Sequence, residues 1–218
     1  MKIAVCLSEF GACPNILLYD EHLSKLGHLV DYYIHGWESN RQHIENIVRD
    51  LNIPETNYLI ESEEKRKRLI ENLVSADKSS VEFNAICEKY GPRFFSLMRS
   101  ANLKTNKEIT NQFLYDTCIG ITNEINIMKY KTVLCKQIVS PAKNTVYTFG
   151  GKPSSIFPFF IVNHEYFYAD TITFNKMAEF FRFINLSWTF NSNTIPDVSF
   201  AYYIKMLNLT NNNTKTIY

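Results

Sequence analysis

The chain has 218 residues, of which 45% are hydrophobic and 21% charged, as is typical of a globular protein with a sizeable core. Its net charge of +1 gives no general reason to expect binding to nucleic acid or to an anionic membrane. The five cysteines are scattered, without CxxC pairs or zinc spacing, so we interpret them as reduced core residues of a cytoplasmic protein. The N-terminal apolar run is too short for a signal peptide, and we expect no transmembrane segment.

The first part of the chain predicts alternating strands and helices. KIAVCL (2–7) is typical of a first strand, and apolar residues at helical spacing after Pro14 predict a helix. HLVDYYIHGW (28–37) predicts a second strand, which completes a right-handed, parallel βαβ unit. A helix is then predicted over 40–51 and a short third strand over 57–60.

The middle of the chain predicts helices. The adjacent acidic and basic runs of ESEEKRKRLIENLV (61–74) favour a solvated helix face over an anion-binding patch. A capping box opens a predicted helix over 79–103, which we expect to be interrupted near Gly91 and Pro92. A further helix is predicted over 105–115.

The second half is less regular. CIGITNEINI (118–127) predicts a buried strand that turns polar, and KTVLCKQIVS (131–140) is another strand-like run. YTFGGKPSS (147–155) predicts turns, and its GGK lacks the spacing of a phosphate-binding loop. Helices are predicted over 174–184 and 195–207. Together the elements predict an α/β fold with a mixed, mostly parallel central sheet flanked by helices.

Several polar residues follow the predicted strands, where ligands bind in folds of this class. Ser8 lies in a loop that precedes a helix, a place where anions bind. His35 and Trp37 close the second strand and offer a donor to phosphate and a stacking face. Glu124 and Asn126 provide hard oxygen ligands for a divalent cation and the phosphates it bridges. The sequence leaves an alternative open for each. The loop of Ser8 is common to α/β proteins, a packed Trp37 with a solvated His35 would explain the strand end, and a polar turn would explain Glu124 and Asn126.

Two acidic residues of the second half have both a structural and a functional interpretation. Asp170 lies where the aromatic stretch YFYAD meets a predicted helix, so it either caps that helix or faces a sugar framed by aromatic rings. His164 and Glu165 are weaker candidates from the same stretch. Asp197, after Pro196, is likewise either a cap or a functional acid.

Five stretches, in this order, resemble those of a family of GT-A-like glycosyltransferases from bacterial surface-polysaccharide clusters and from large viruses and phages. They are KIAVCLSEFGA, VDYYIHGWE, YDTCIGITNEI, ADTITFNKMAEFF and PDVSFAYYIKMLNL. The helix before YD also resembles that of the family through its Lys104 and Glu108.

The resemblance implies a single nucleotide-sugar-binding domain of GT-A-like fold over 1–208, followed by a polar tail over 209–218. The nucleotide would bind to the half over 1–127 and the acceptor to the half over 128–208. The implied activity is transfer of a sugar from a nucleotide-diphosphate donor to a glycan or lipid-linked acceptor, with Mn²⁺ or Mg²⁺ as the cofactor.

The resemblance also implies which residues form the site. Glu124 corresponds to the family's metal-binding acid, and Asp170 and Asp197 correspond to its later acids, which we take as catalytic. Five further residues are expected to bind the donor: Ser8, His35, Trp37, Lys104 and Asn126.

The chain departs from the family pattern at basic positions. The arginine of the first loop is absent, and Gly120 and Thr122 stand where the family has two more arginines. Lys104 or Lys152 would have to replace the positive charge of the absent arginines beside an anionic donor. These departures leave open a catalytically weakened relative that only binds a glycan or a nucleotide, or a structural domain without a ligand.

Overall fold

The computed structural model describes residues 1–8, 16–74, 81–122, 138, 140–149, 152–153, 160–161, 164–188 and 196–214. Helices flank a seven-stranded mixed sheet, which confirms the predicted α/β class. Among the described helices, none combines the length and apolar character needed to cross a bilayer.

The described elements follow one another in a mixed order of strands and helices. They are β1 (Lys2–Ser8), α1 (Ile16–Lys25), β2 (Leu29–Trp37), α2 (Arg41–Asp50), β3 (Tyr58–Glu61), α3 (Glu63–Val74), α4 (Val81–Asn111), β4 (Thr117–Thr122), β5 (Thr145–Phe149), β6 (Lys152–Pro153), β7 (Phe160–Ile161), β8 (Tyr166–Ala169), α5 (Thr171–Ala178), α6 (Phe180–Trp188), α7 (Pro196–Met206) and β9 (Thr210–Thr214).

The large sheet has the order β3-β2-β1-β4-β8-β5-β9, and β6 and β7 form a separate two-stranded ribbon. All strands of the large sheet run in one direction except β8, which is antiparallel to both β4 and β5. Strands β1 to β4 end at Ser8, Trp37, Glu61 and Thr122, along what we call the carboxyl edge. Because β8 runs the other way, it begins at the carboxyl edge and ends at the opposite, amino edge.

Alternate side chains of the strands pack on opposite faces of the sheet. Ala4 and Cys6 of β1 belong to a core that includes Phe94 of α4. Ile3 and Val5 belong to a second core on the other face, together with residues of α1 and α2. Both faces are therefore covered, which explains why the parallel strands are nearly continuous apolar runs.

Helix α4 continues through Gly91 and Pro92, where an interruption was expected. A Cβ atom on Gly91 would overlap the side chain of Leu73, so glycine at this point lets α3 pack closely against α4. Tertiary packing against α3 and the sheet outweighs the low helix propensity of the Gly-Pro pair.

Two segments expected to be irregular form strands instead. YTF (147–149) forms the end of β5, and the expected polar tail contributes β9, which pairs with β5 from Thr145–Thr210 to Phe149–Thr214. Thr148 Oγ1 also donates a hydrogen bond to Asn211 Oδ1 at 3.0 Å. The pairing is made by backbone groups, so it leaves no apolar pattern in the Asn- and Thr-rich sequence.

The cysteines within the described ranges are buried free thiols: Cys6, Cys87 and Cys118. Burial raises the pKa of Cys118 to about 12. The thiol is therefore protonated at neutral pH and behaves as a small apolar core residue, as expected.

Candidate functional site

The carboxyl edge has a change of strand order between β1 and β4. From β1 the chain crosses to β2 and β3 on one side, whereas β4 lies on the other side. Ligands of open α/β sheets bind in the crevice at such a point. Ser8 and Thr122 are register partners here and are 0% and 1% exposed.

Ser8 lies at this crevice, and its hydroxyl group is the feature of interest. Its Oγ atom is buried and has no hydrogen-bond partner among the described residues. Leaving a buried polar group unpaired is costly, so the Ser8 hydroxyl is suited to bond a ligand or the chain that follows it, which is outside the described ranges.

His35 is the register partner of Ser8 on β2, but it belongs to a buried network. Its Nδ1 atom lies 2.8 Å from Ser96 Oγ, and its Nε2 atom lies 3.5 Å from Glu61 Oε2. Burial lowers the pKa of His35, and the contact with Glu61 opposes only part of this effect. His35 is therefore neutral near pH 7 and is covered by protein groups.

Glu61 ends β3 and connects this network to basic side chains. Its Oε1 atom accepts hydrogen bonds from Lys65 Nζ at 2.7 Å and from Arg99 Nη2 at 2.8 Å. Burial acts to raise the pKa of Glu61, but the contacts with His35, Lys65 and Arg99 together lower it to about 2. Glu61 was not among the predicted site residues, although the residue ends β3 in register with Trp37.

Trp37 has no exposed stacking face in this structure. The side chain is 0% exposed. Its ring stacks on Phe95 with a centroid distance of 5.8 Å, and His35 packs edge-on at 5.1 Å. The indole Nε1 is buried without a hydrogen-bond partner in the described part of the chain, so its N–H group, not its ring face, is the feature a ligand could use.

Lys104 lies near the amino edge and is 0% exposed. Its Nζ atom donates to Glu108 Oε2 at 2.7 Å and to Thr171 Oγ1 at 2.6 Å. Glu108 Oε1 accepts further hydrogen bonds from Thr171 Oγ1 and from the Tyr115 backbone amide. The lysine charge is thus neutralised inside the core and does not face the carboxyl edge.

Asp170 caps helix α5. Its Oδ1 atom accepts from the backbone amides of Ile172 at 3.0 Å and Thr173 at 3.2 Å. The residue follows β8 and so lies at the amino edge, because β8 is antiparallel. The six residues of β4 separate the two edges by about 17 Å, so the structure does not bring Asp170 to the place where the chain leaves β4 towards Glu124.

Asp197, in the first turn of α7, lies near the carboxyl edge. Its Oδ1 atom accepts from His164 Nδ1 at 2.5 Å and from the His164 backbone amide at 3.2 Å. His164 in turn adjoins the end of β4, because Thr122 Oγ1 lies 3.4 Å from the His164 carbonyl oxygen and the Thr122 amide donates to Glu165 O at 2.9 Å. The structure thus brings Ser8, Thr122, His164 and Asp197 to one edge.

Glu124 and Asn126 lie outside the described residues, as does the side chain of Lys152. Within the described ranges, no group of three or more His, Cys, Asp or Glu side chains is arranged to hold a metal ion.

Comparison of the sequence with protein-family models and with curated proteins gives no match.

Proposed function

We propose that the protein is a glycosyltransferase that moves a sugar from a nucleotide-diphosphate donor to a glycan or lipid-linked acceptor. The proposal rests on the ordered sequence motifs and is supported by a mixed sheet whose order reverses between β1 and β4. The GT-A-like fold is part of this proposal. The buried free thiols support a reducing, cytoplasmic setting for the reaction.

The observation that carries the proposal is the arrangement at the carboxyl edge. Ser8, whose buried hydroxyl has no partner among the described residues, is in register with Thr122, and the His164–Asp197 pair adjoins Thr122. The chain leaves β4 here, two residues before Glu124. One edge thus combines a group able to bond a phosphate oxygen with a titratable pair.

The chemistry of sugar transfer requires two things of such an edge. The leaving nucleoside diphosphate needs stabilisation of its negative charge, and the attacking hydroxyl needs a proton acceptor within hydrogen-bond reach. We assign donor binding to Ser8 together with Glu124 and Asn126, and the acceptor side to Asp197 and its partner His164. Glu124 is the residue that we propose as the ligand of a metal ion, and no step of the reaction is assigned to that ion. Asp170 and Lys104 have no part in this assignment.

A second candidate function is a relative that binds a nucleotide or a glycan without transferring sugar. The observation that favours it is the burial of Lys104, which is paired with Glu108 and so does not replace the missing arginines at the donor. This candidate predicts the same ligands and the same edge, but no reaction.

Incubation with a panel of nucleotide sugars, with and without Mn²⁺, separates the two candidates. If the protein is a glycosyltransferase, it releases nucleoside diphosphate, and the rate of release is strongly reduced in Glu124→Gln. The control is Glu55→Gln, which alters an exposed glutamate outside the carboxyl edge and leaves the rate unchanged. Binding without release favours the second candidate. Neither binding nor release with any donor contradicts both.

A further inference from the structure

His164 is held by three different elements although it lies just before β8. Its backbone amide and its Nδ1 atom bond Asp197 of α7, and its carbonyl oxygen adjoins Thr122 of β4. Its ring packs against Phe94 and Tyr90 of α4, with centroid distances of 5.2 and 5.4 Å. The ring is therefore fixed in orientation, and the residue is only 5% exposed.

The contact with Asp197 also fixes which nitrogen of His164 carries hydrogen. An ionised carboxylate can only accept hydrogen bonds, so the Nδ1 atom is the donor. In the neutral ring the Nε2 atom then keeps a lone pair. This Nε2 atom is buried and has no hydrogen-bond partner in the described part of the chain. A hydroxyl group of a bound sugar is a suitable partner, because it can donate to that lone pair.

We propose that His164 is the catalytic residue that accepts the proton of the acceptor hydroxyl, and that Asp197 is its positioning residue. This inference rests on the proposed glycosyltransferase function and identifies the proton acceptor of that reaction. It is carried by the oriented ring, by the Nε2 atom that has no partner among the described residues, and by the contact with the end of β4.

The reaction step is a single displacement. The acceptor oxygen forms a bond to the anomeric carbon, while the bond from that carbon to the diphosphate oxygen breaks. The electron pair of the broken bond leaves with the nucleoside diphosphate, and the hydroxyl proton passes to His164 Nε2. A single displacement inverts the configuration at the anomeric carbon.

The charged groups around His164 come from its neighbouring elements. Asp197 lies on α7 and contacts the His164 ring. Lys89 and Arg93 of α4 lie over the Tyr90 ring that packs against His164, and Glu165 follows in the chain. Asp197 is the carboxylate in contact with the ring and stabilises the imidazolium that forms when the proton is accepted.

The first test uses His164→Asn, which keeps an amide donor near the Nδ1 position for Asp197 but has no group at the Nε2 position. The probe is the nucleotide sugar that gives the largest nucleoside diphosphate release, with water as the acceptor. We expect release to fall by about 10²–10⁴-fold, while the rise in melting temperature caused by the donor is unchanged. His43→Asn, which alters an exposed histidine of α2, is the matched control and keeps full release.

The second test addresses the positioning role through Asp197→Asn. Removing the negative charge disfavours the imidazolium, so the acid limb of the pH–rate profile is expected to move to lower pH. A merely structural role for Asp197 would leave that limb in place and change only the stability.

A third measurement does not depend on the folding of any variant. In wild-type protein labelled with ¹⁵N-histidine, NMR is expected to find His164 as the Nδ1–H tautomer. In the hydrolysis of the nucleotide sugar, the free sugar that forms, before its anomers equilibrate, is expected to have inverted configuration at the anomeric carbon. An Nε2–H tautomer, retained configuration, or full release by His164→Asn would overturn the assignment. Absence of release by the wild type instead removes the proposed function and this inference with it.

Discussion

Lys104 and Glu108 form a buried ion pair one helical turn apart on α4. The Nζ and Oε2 atoms are 2.7 Å apart, and the side chains are 0% and 3% exposed. Thr171 of α5 and the Tyr115 amide complete the hydrogen bonds of the pair. The pair thereby connects α4, α5 and the chain entering β4.

Replacing Lys104 by methionine is expected to lower the free energy of unfolding by about 3–5 kcal/mol, because Glu108 is left as an unpaired buried charge. Urea unfolding measures the loss. The double variant Lys104→Met/Glu108→Met should recover part of it. Lys67→Met, which alters an exposed lysine of α3, is the control. Equal stability of the Lys104 and Lys67 variants would contradict the burial of this pair.

The network of His35 and Glu61 predicts a loss of stability in acid. The folded-state pKa of Glu61, about 2, lies below the ordinary value of 4.5, so its contribution is complete above about 4.5 and is lost as pH falls towards 2. The pKa of His35 is also lowered, from 6.5, so protonation of the unfolded chain weakens the fold from about pH 6.5 downwards.

The free energy of unfolding, measured in urea between pH 7 and 3 for the wild type and for Glu61→Gln, checks this prediction. The variant should lose less stability than the wild type between pH 4.5 and 3, while Glu64→Gln on the exposed face of α3 should follow the wild type. Identical slopes for all three proteins would show that Glu61 is not held ionised by its neighbours.

Asp170 is predicted to stabilise the protein as a helix cap. Asp170→Ala should lower the free energy of unfolding by about 1 kcal/mol, whereas Asp170→Asn should be nearly neutral because asparagine caps equally well. Both variants should retain nucleoside diphosphate release. If Asp170→Asn keeps its stability but loses release, Asp170 acts in catalysis and the assignment to the carboxyl edge is wrong.

Gly120 of β4 lies where the structure leaves no room for a side chain. A Cβ atom at this position would lie 2.7 Å from Phe167 Cε1 on the neighbouring strand β8. Gly120→Ala is expected to cost about 1–3 kcal/mol of unfolding free energy through overpacking. The double variant Gly120→Ala/Phe167→Leu should recover part of this cost. No change in the single variant would mean that β4 and β8 separate easily here.

The local elements were predictable from the sequence because hydrophobic periodicity and capping are local properties. This holds for β1, β2 and α2, whose bounds agree with the prediction to within about two residues. The direction of β8 is not local, because it is decided by pairing with β4 and β5. That direction places Asp170 at the amino edge. No local sequence pattern predicts the direction of a strand, so the position of Asp170 could not be predicted.

The candidate site was predictable only in part, because the ends of strands and helices follow from local patterns whereas the burial of a side chain does not. Ser8 and Asp197 were expected near a ligand and lie near the carboxyl edge. His164, a weaker candidate from the sequence, is the partner of Asp197 there. The burial of Trp37 and Lys104 depends on how α4 covers the sheet. An amphipathic pattern predicts a helix, but it does not tell which polar side chain of that helix is enclosed.

The most direct test of the central claim, a nucleotide-sugar site at the carboxyl edge, is the melting temperature measured with a panel of nucleotide sugars, each with and without Mn²⁺. We predict that at least one donor raises the melting temperature of the wild type and of Glu55→Gln, and that Glu124→Gln removes the rise while melting normally without ligand. No rise with any common nucleotide sugar, or an unchanged rise in Glu124→Gln, would contradict the claim.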